Sequence, residues 1–142
     1  MISPNIMDWN KCEREFIRRV EPDPERAKSI IAKARQRLKR AQETPINEES
    51  VSFVVEDYYE VIKELLVAYL LLAGLRSQNH QCLISYFAKQ HSDHDQKTIL
   101  MAQMSYFRNR LGYYGESIPL SFYEKNKKEF QEIIVFLEKL LV

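Results

Sequence analysis

The residues best suited to chemistry gather at Phe107-Arg108-Asn109-Arg110-Leu111-Gly112-Tyr113-Tyr114-Gly115. Arg108, Asn109 and Arg110 put guanidinium and amide donors at consecutive positions, and Tyr113 and Tyr114 follow before a glycine turn. A guanidinium gives planar, bidentate hydrogen bonds to phosphate, and a phenol ring can stack on a base. Arg108 and Gly112 are one helical turn apart, so Arg108 and Tyr113 can project near one another. Arg108, Asn109, Tyr113 and Tyr114 are therefore the candidate catalytic residues, and Arg108 and Arg110 the candidate phosphate contacts. The same segment also reads as an amphipathic helix end with exposed arginines and core tyrosines.

A second basic group comprises Arg26, Lys28, Lys33, Arg35, Arg37, Lys39 and Arg40. Lys33, Arg37 and Arg40 are candidate RNA or phosphate contacts on this face. The plainer reading is a solvated face whose stems cover apolar surface and whose charges pair with Glu56, Asp57, Glu60 and Glu64. His91-Ser92-Asp93-His94-Asp95 holds residue types that bind divalent metals. It falls in an expected linker, where nothing fixes ligand geometry, so it reads as a helix-capping polar loop and no metal is assigned. His80 stands apart, near the start of a helix, and reads as a capping or packing histidine.

The elements that must position these residues are helices. Asp8 to Val20 reads as a short first helix, stopped by Pro22 and Pro24. Asp23-Pro24-Glu25 opens a second with an acidic cap and proline at the first position, and Ala27, Ile30, Ile31, Ala34, Leu38 and Ala41 recur at helical spacing. Asn47 caps a third helix reaching about Ala73, apolar nearly all round in its second half and hence central, with Gly74 as its stop. A shorter helix carries Leu83, Ile84, Tyr86 and Phe87. Two more carry Ile99 to Leu111 and Phe122 to Leu140. The expected fold is all-α, an antiparallel up-and-down bundle of four long helices (about 24–43, 47–73, 95–112 and 121–140) with one or two short extra ones and no required strand. The 142 residues read as a single domain, 1–142, in which 1–22 form an extension with a short helix and about 24–140 the core.

Gly is only 3 and Pro only 5, which disfavours a many-stranded fold. Formal net charge is +1, so no global field draws the chain to nucleic acid or membrane, and any such preference is local. The longest apolar run, Leu65 to Leu75, is shorter than the about 20 residues a bilayer span needs, so no membrane partner is expected. Cys12 and Cys82 have no CxxC spacing and read as unpaired thiols of a reducing compartment. With no secretion-signal pattern at the start, the expected location is cytoplasmic.

Arg108-Asn109, near the end of a helix, resembles the start of the signature of the HEPN domain family, in which an arginine is followed after four to six residues by histidine. Asp57-Tyr58-Tyr59 through Gly74-Leu75, then Ser77, Asn79-His80 and Leu83-Ile84-Ser85-Tyr86-Phe87, resemble the family's central helix, its Gly-Leu turn and the opening of its next helix. The resemblance covers residues 24–140. It implies a four-to-five-helix bundle that forms a homodimer with the signature arginines meeting in a cleft, and no cofactor. It also implies RNA or nucleotide binding, and in many members a metal-independent ribonuclease toxin with a minimal nucleotidyltransferase antitoxin as partner. Here the family histidine falls on Tyr113 or Tyr114. A tyrosine with pKa near 10 is a poor proton acceptor at neutral pH, whereas histidine near 6.5 is a good one. The sequence therefore leads to expect an RNA- or nucleotide-binding HEPN-like protein with weak or no cleavage. An active ribonuclease toxin and a non-catalytic helical interaction module stand as the alternatives.

Overall fold

The computed structural model describes residues 6–142. In chain order the elements are α1 (Trp9–Glu15), β1 (Ile17–Arg19), α2 (Pro24–Glu43), α3 (Val51–Leu72), β2 (Leu75–Ser77), α4 (Gln81–Gln90), α5 (Asp95–Tyr114) and α6 (Leu120–Leu140). The fold is thus predominantly helical, with one two-stranded sheet among the described residues. No helix among them is long and apolar enough to cross a membrane.

The core is built around α3, which packs against α2, α4, α5, α6 and β2. Its Val51, Val54, Val55, Tyr58, Ile62, Leu65 and Leu66 are all buried. They meet Leu83 and Phe87 of α4, Leu100, Met101 and Met104 of α5, and Phe130, Ile133, Ile134 and Leu137 of α6 in one cluster. Burying side chains of this size contributes roughly 1.5–3 kcal/mol each before entropy is counted. The α2 start follows its sequence: the Asp23 carboxylate accepts from Arg26 N at 3.0 Å, and Pro24 needs no partner for its missing N–H. Buried Ala27, Ala34 and Ala41 lie along α2 at seven-residue spacing, small enough to let the helix come close to its neighbours.

The N-terminal segment departs from the single helix expected over residues 8–20. Helix α1 closes where Phe16 N donates to Cys12 O, and Ile17–Arg19 then pairs antiparallel with Leu75–Ser77. The β-branched and long side chains of Ile17-Arg18-Arg19 suit an extended strand, and β2 offers an edge whose polar backbone groups need partners. Gly74 makes the turn into β2 with φ 75°. Val20 N donates to Gly74 O at 2.9 Å, and a Cβ at position 74 would lie 3.0 Å from Val20 O. Glycine is therefore required there both by dihedral and by contact.

The cysteines are a second correction. Cys12 of α1 and Cys82 of α4 form a disulfide with Cα atoms 5.6 Å apart, joining positions 70 residues distant in sequence. The inference from unpaired thiols to a reducing compartment loses its premise. Two boundaries also shift. Asn47 Oδ1 accepts from the N–H groups of Glu49 and Ser50, so it caps a turn and α3 begins at Val51. Helix α5 runs through Gly112 to Tyr114, and only Gly115, at φ 65°, ends it.

Candidate functional site

Two parts of the chain converge on one cleft. The first is the loop from β2 to α4. Strand β1 steadies it, because Gln78 N donates to Phe16 O at 3.0 Å. The Ser77 hydroxyl donates to Asn79 O at 2.6 Å and accepts from Asn79 N at 3.1 Å. Asn79 Oδ1 accepts from Gln81 N at 2.8 Å, closing the turn that leads into α4. The second part is the C-terminal half of α5, tied to the loop by Gln81 Nε2 donating to Ser105 Oγ at 2.7 Å. Between them lies a cleft of about 320 Å³, whose lining includes Tyr59, Asn79, His80, Arg108, Asn109 and Tyr113.

Arg108 is half-buried, and its ion-pair partner is Glu60 of α3, with Nε to Oε1 at 3.5 Å. Both atoms are buried and neither has a hydrogen-bond partner among the described residues. Glu60 is also 2.6 Å from Lys63 Nζ. Its charge is thus shared between two cations, and the guanidinium stays in the cleft without a full internal bond. An unpaired buried donor beside an unpaired acceptor is the arrangement a polar ligand or ordered water would complete.

His80 sits at the N-terminal cap position of α4, near the helix start where the sequence placed it, and it lines the Arg108 cleft. It also lines an adjoining groove of about 390 Å³, together with Arg26, Val67, Leu71, Arg76 and Leu83. Partial burial pushes its imidazole below the ordinary histidine value. Lys63 and Arg108 push the same way and Glu60 partly opposes them, so the ring is neutral at pH 7. Tyr59 behaves in the opposite sense: burial raises its phenol above the usual tyrosine value and keeps it protonated. The signal for His80 was present in the sequence as Asn79-His80, but nothing there placed it beside a helix so far along the chain.

The remaining candidates divide. Tyr113 stands at the mouth of the cleft, 76% exposed. Tyr114 does not line the cleft. Its ring lies 4.4 Å from the Arg110 guanidinium, and Arg110 is held by two hydrogen bonds to Glu116, one of them Nε to Oε2 at 2.9 Å. That acid raises the arginine's pKa and lowers its own. On α2, Arg37 bonds Glu64 at 2.8 Å and Arg40 bonds Asp57 through two nitrogens at 3.1 and 2.6 Å. Lys33 reaches Gln36 at 3.1 Å. None of these three lines the cleft, and the acids Asp57 and Glu64 are the partners that the plainer reading supplied.

In the polar run after α4, the His91 ring packs 4.8 Å from Phe87 and 5.3 Å from Phe136, and Nε2 lies 3.3 Å from the Tyr69 hydroxyl. His94 stacks on Phe136 at 4.5 Å. Both histidines are packing residues of the α4–α5 corner. A larger hollow of about 540 Å³ lies beside α6, around Lys97, Lys128 and Lys139. Lys97 is paired there with Glu129 at 3.2 Å, and His94 lines the hollow while the arginine and tyrosine candidates do not. Comparison with protein families, with curated proteins and with solved structures finds no match for this chain.

Proposed function

We propose that this is a HEPN-like protein whose Arg108 cleft binds RNA or nucleotide phosphate. The observation that carries the reading is convergence. Asn79-His80 and Arg108-Asn109, two motifs separated in sequence, line the same cleft. Arg108 supplies the guanidinium for a phosphate oxygen, Asn79 and Asn109 supply amides, and Tyr113 offers an exposed ring on which a base can stack. In this reading α2, α3, α5 and α6 form the antiparallel up-and-down bundle, the protein acts as a homodimer, and a minimal nucleotidyltransferase antitoxin is the protein partner to seek.

The test is binding of a fluorescent single-stranded RNA and of a nucleoside monophosphate to wild type and Arg108→Ala. Loss of one charge-assisted contact is worth about 1.5–3 kcal/mol, so affinity should fall roughly 10- to 100-fold. Arg108 has only its 3.5 Å ion pair to lose and Glu60 keeps Lys63 as a partner, so the melting temperature should fall only modestly. Unchanged affinity for both ligands would leave only the helical interaction module.

A further inference from the structure

Positive charge is left uncompensated where the two-stranded sheet meets the start of α2. Arg18 and Arg76 are directly opposed in the antiparallel pairing of β1 with β2, and like charges so placed destabilise a ladder. Among the described residues neither has an ion-pair partner, nor has Arg26, in contrast to Arg35, Arg37, Arg40 and Arg110. The acid next to Arg26 in the chain, Glu25, lies 3.7 Å from Lys28 instead. Arg26 and Arg76 stand at the exposed edge of the groove of about 390 Å³ that adjoins the Arg108 cleft. No carboxylate lines this groove among the described residues. A fixed pair of guanidiniums with no acid beside them favours an anion from outside.

The floor of the groove says what that anion carries. It is aliphatic: Leu70, Leu71 and Leu83 are buried there and Val67 is half-buried. The hydroxyl in its wall, that of Ser77, already donates to Asn79 O and accepts from Asn79 N. Apart from the His80 imidazole, no ring lines it, so a base finds no aromatic face of the kind that Tyr113 offers in the neighbouring cleft. The volume is at the low end for small-molecule sites, which suits one short chain and not the two tails of a membrane lipid. We propose that this groove binds a medium-chain fatty acid, with the chain along Leu70, Leu71 and Leu83 and the carboxylate held at the edge by Arg26 and Arg76. The site stands without the phosphate-binding reading of the Arg108 cleft. Where both hold, an RNA that runs beyond that cleft meets the same two arginines and competes with the acid.

The experiment is calorimetric titration of the full chain with octanoate, kept below its micelle concentration. One octanoate should bind per chain, and hexanoate should bind more weakly by about fourfold per methylene removed, the worth of one buried CH₂. Octanol, with the same chain and no charge, should bind at least about 10-fold more weakly than octanoate. Arg26→Ala and Arg76→Ala should each weaken octanoate roughly 10- to 100-fold, the loss of one charge-assisted contact. Both side chains are exposed, so both variants should keep the wild-type melting temperature within a few degrees. Arg108→Ala should leave octanoate affinity within twofold. No binding of octanoate, equal binding of octanol, or indifference to both Arg26→Ala and Arg76→Ala overturns the proposal. Capture of the chain by anionic phospholipid vesicles without binding of the free acid overturns it in favour of a membrane surface. None of these outcomes touches the RNA titration with Arg108→Ala, so the two readings fail separately.

Discussion

Arg108 and Glu60 stop short of a full bond, 3.5 Å apart with neither atom otherwise paired, and the site's chemistry starts from that gap. The other arginines that the sequence singled out are already engaged: Arg110 by Glu116, and Arg37 and Arg40 by Glu64 and Asp57. Tyr113→Ala should therefore weaken RNA binding by about 1–3 kcal/mol, one stacked base. Arg110→Ala and Tyr114→Ala should stay within twofold, all read in one titration series. A second prediction concerns pH. Burial and the His94 charge hold the His91 ring below its ordinary value. The folded protein thus binds fewer protons there than the unfolded chain does, and stability must rise with pH through that range. The contribution is complete above the unfolded value near 6.5 and is lost as pH falls through the lower folded value. Urea midpoints should drop between pH 7 and 5 in wild type and drop less in His91→Phe. Residue types made Arg108 and Tyr113 legible in the sequence. They could not separate Arg108 from Arg110, because the difference lies in which acid the chain brings near each.

The piece that escaped the sequence is an element, the clip formed by α1 and β1. Helical periodicity ran on through Ile17-Arg18-Arg19, but a strand forms because β2 presents an edge that only the fold creates. The same clip brings Cys12 to Cys82 and holds Gln78 through Phe16 O, so the loop carrying His80 is fixed from outside the helices. By contrast, α2 was legible to its ends, because Asp23, Pro24 and Thr44-Pro45 are local signals that need no partner. Two outcomes belong at this scale. Closing a loop with a sequence separation of 70 residues removes unfolded-state entropy worth about 4 kcal/mol. Cys12→Ala/Cys82→Ala should therefore lower the unfolding free energy by a few kcal/mol, measured by denaturant titration against the oxidised wild type. Gly74→Ala should destabilise by about 1–3 kcal/mol, since both the φ of 75° and the 3.0 Å approach to Val20 O oppose a side chain. If Gly74→Ala unfolds at the wild-type midpoint, β1 does not pack on the turn as described.

For the whole molecule, the deciding quantity is a formal net charge of only +1. A protein so nearly neutral gains no long-range attraction to a polyanion, and the basic stripe of α2 does not change this, because much of its charge is spent on acids of α3 and α6. Affinity must then come from the few cations that face the two cavities: Arg26, Arg76 and Arg108. Each phosphate neutralised on a single strand releases about 0.7 of a counterion, so three contacts give a slope of log K against log salt of about −2. A surface that used all of α2 would give a slope roughly twice as steep or more. Titrating a short single-stranded RNA from 50 to 300 mM salt separates the two. In the Arg108→Ala protein the slope should flatten by about 0.7, while in Arg37→Ala it should not move, because that guanidinium already answers to Glu64. A steep wild-type slope that Arg37→Ala flattens would relocate the binding face from the cleft to α2, and the convergence of His80 with Arg108 would then be packing alone.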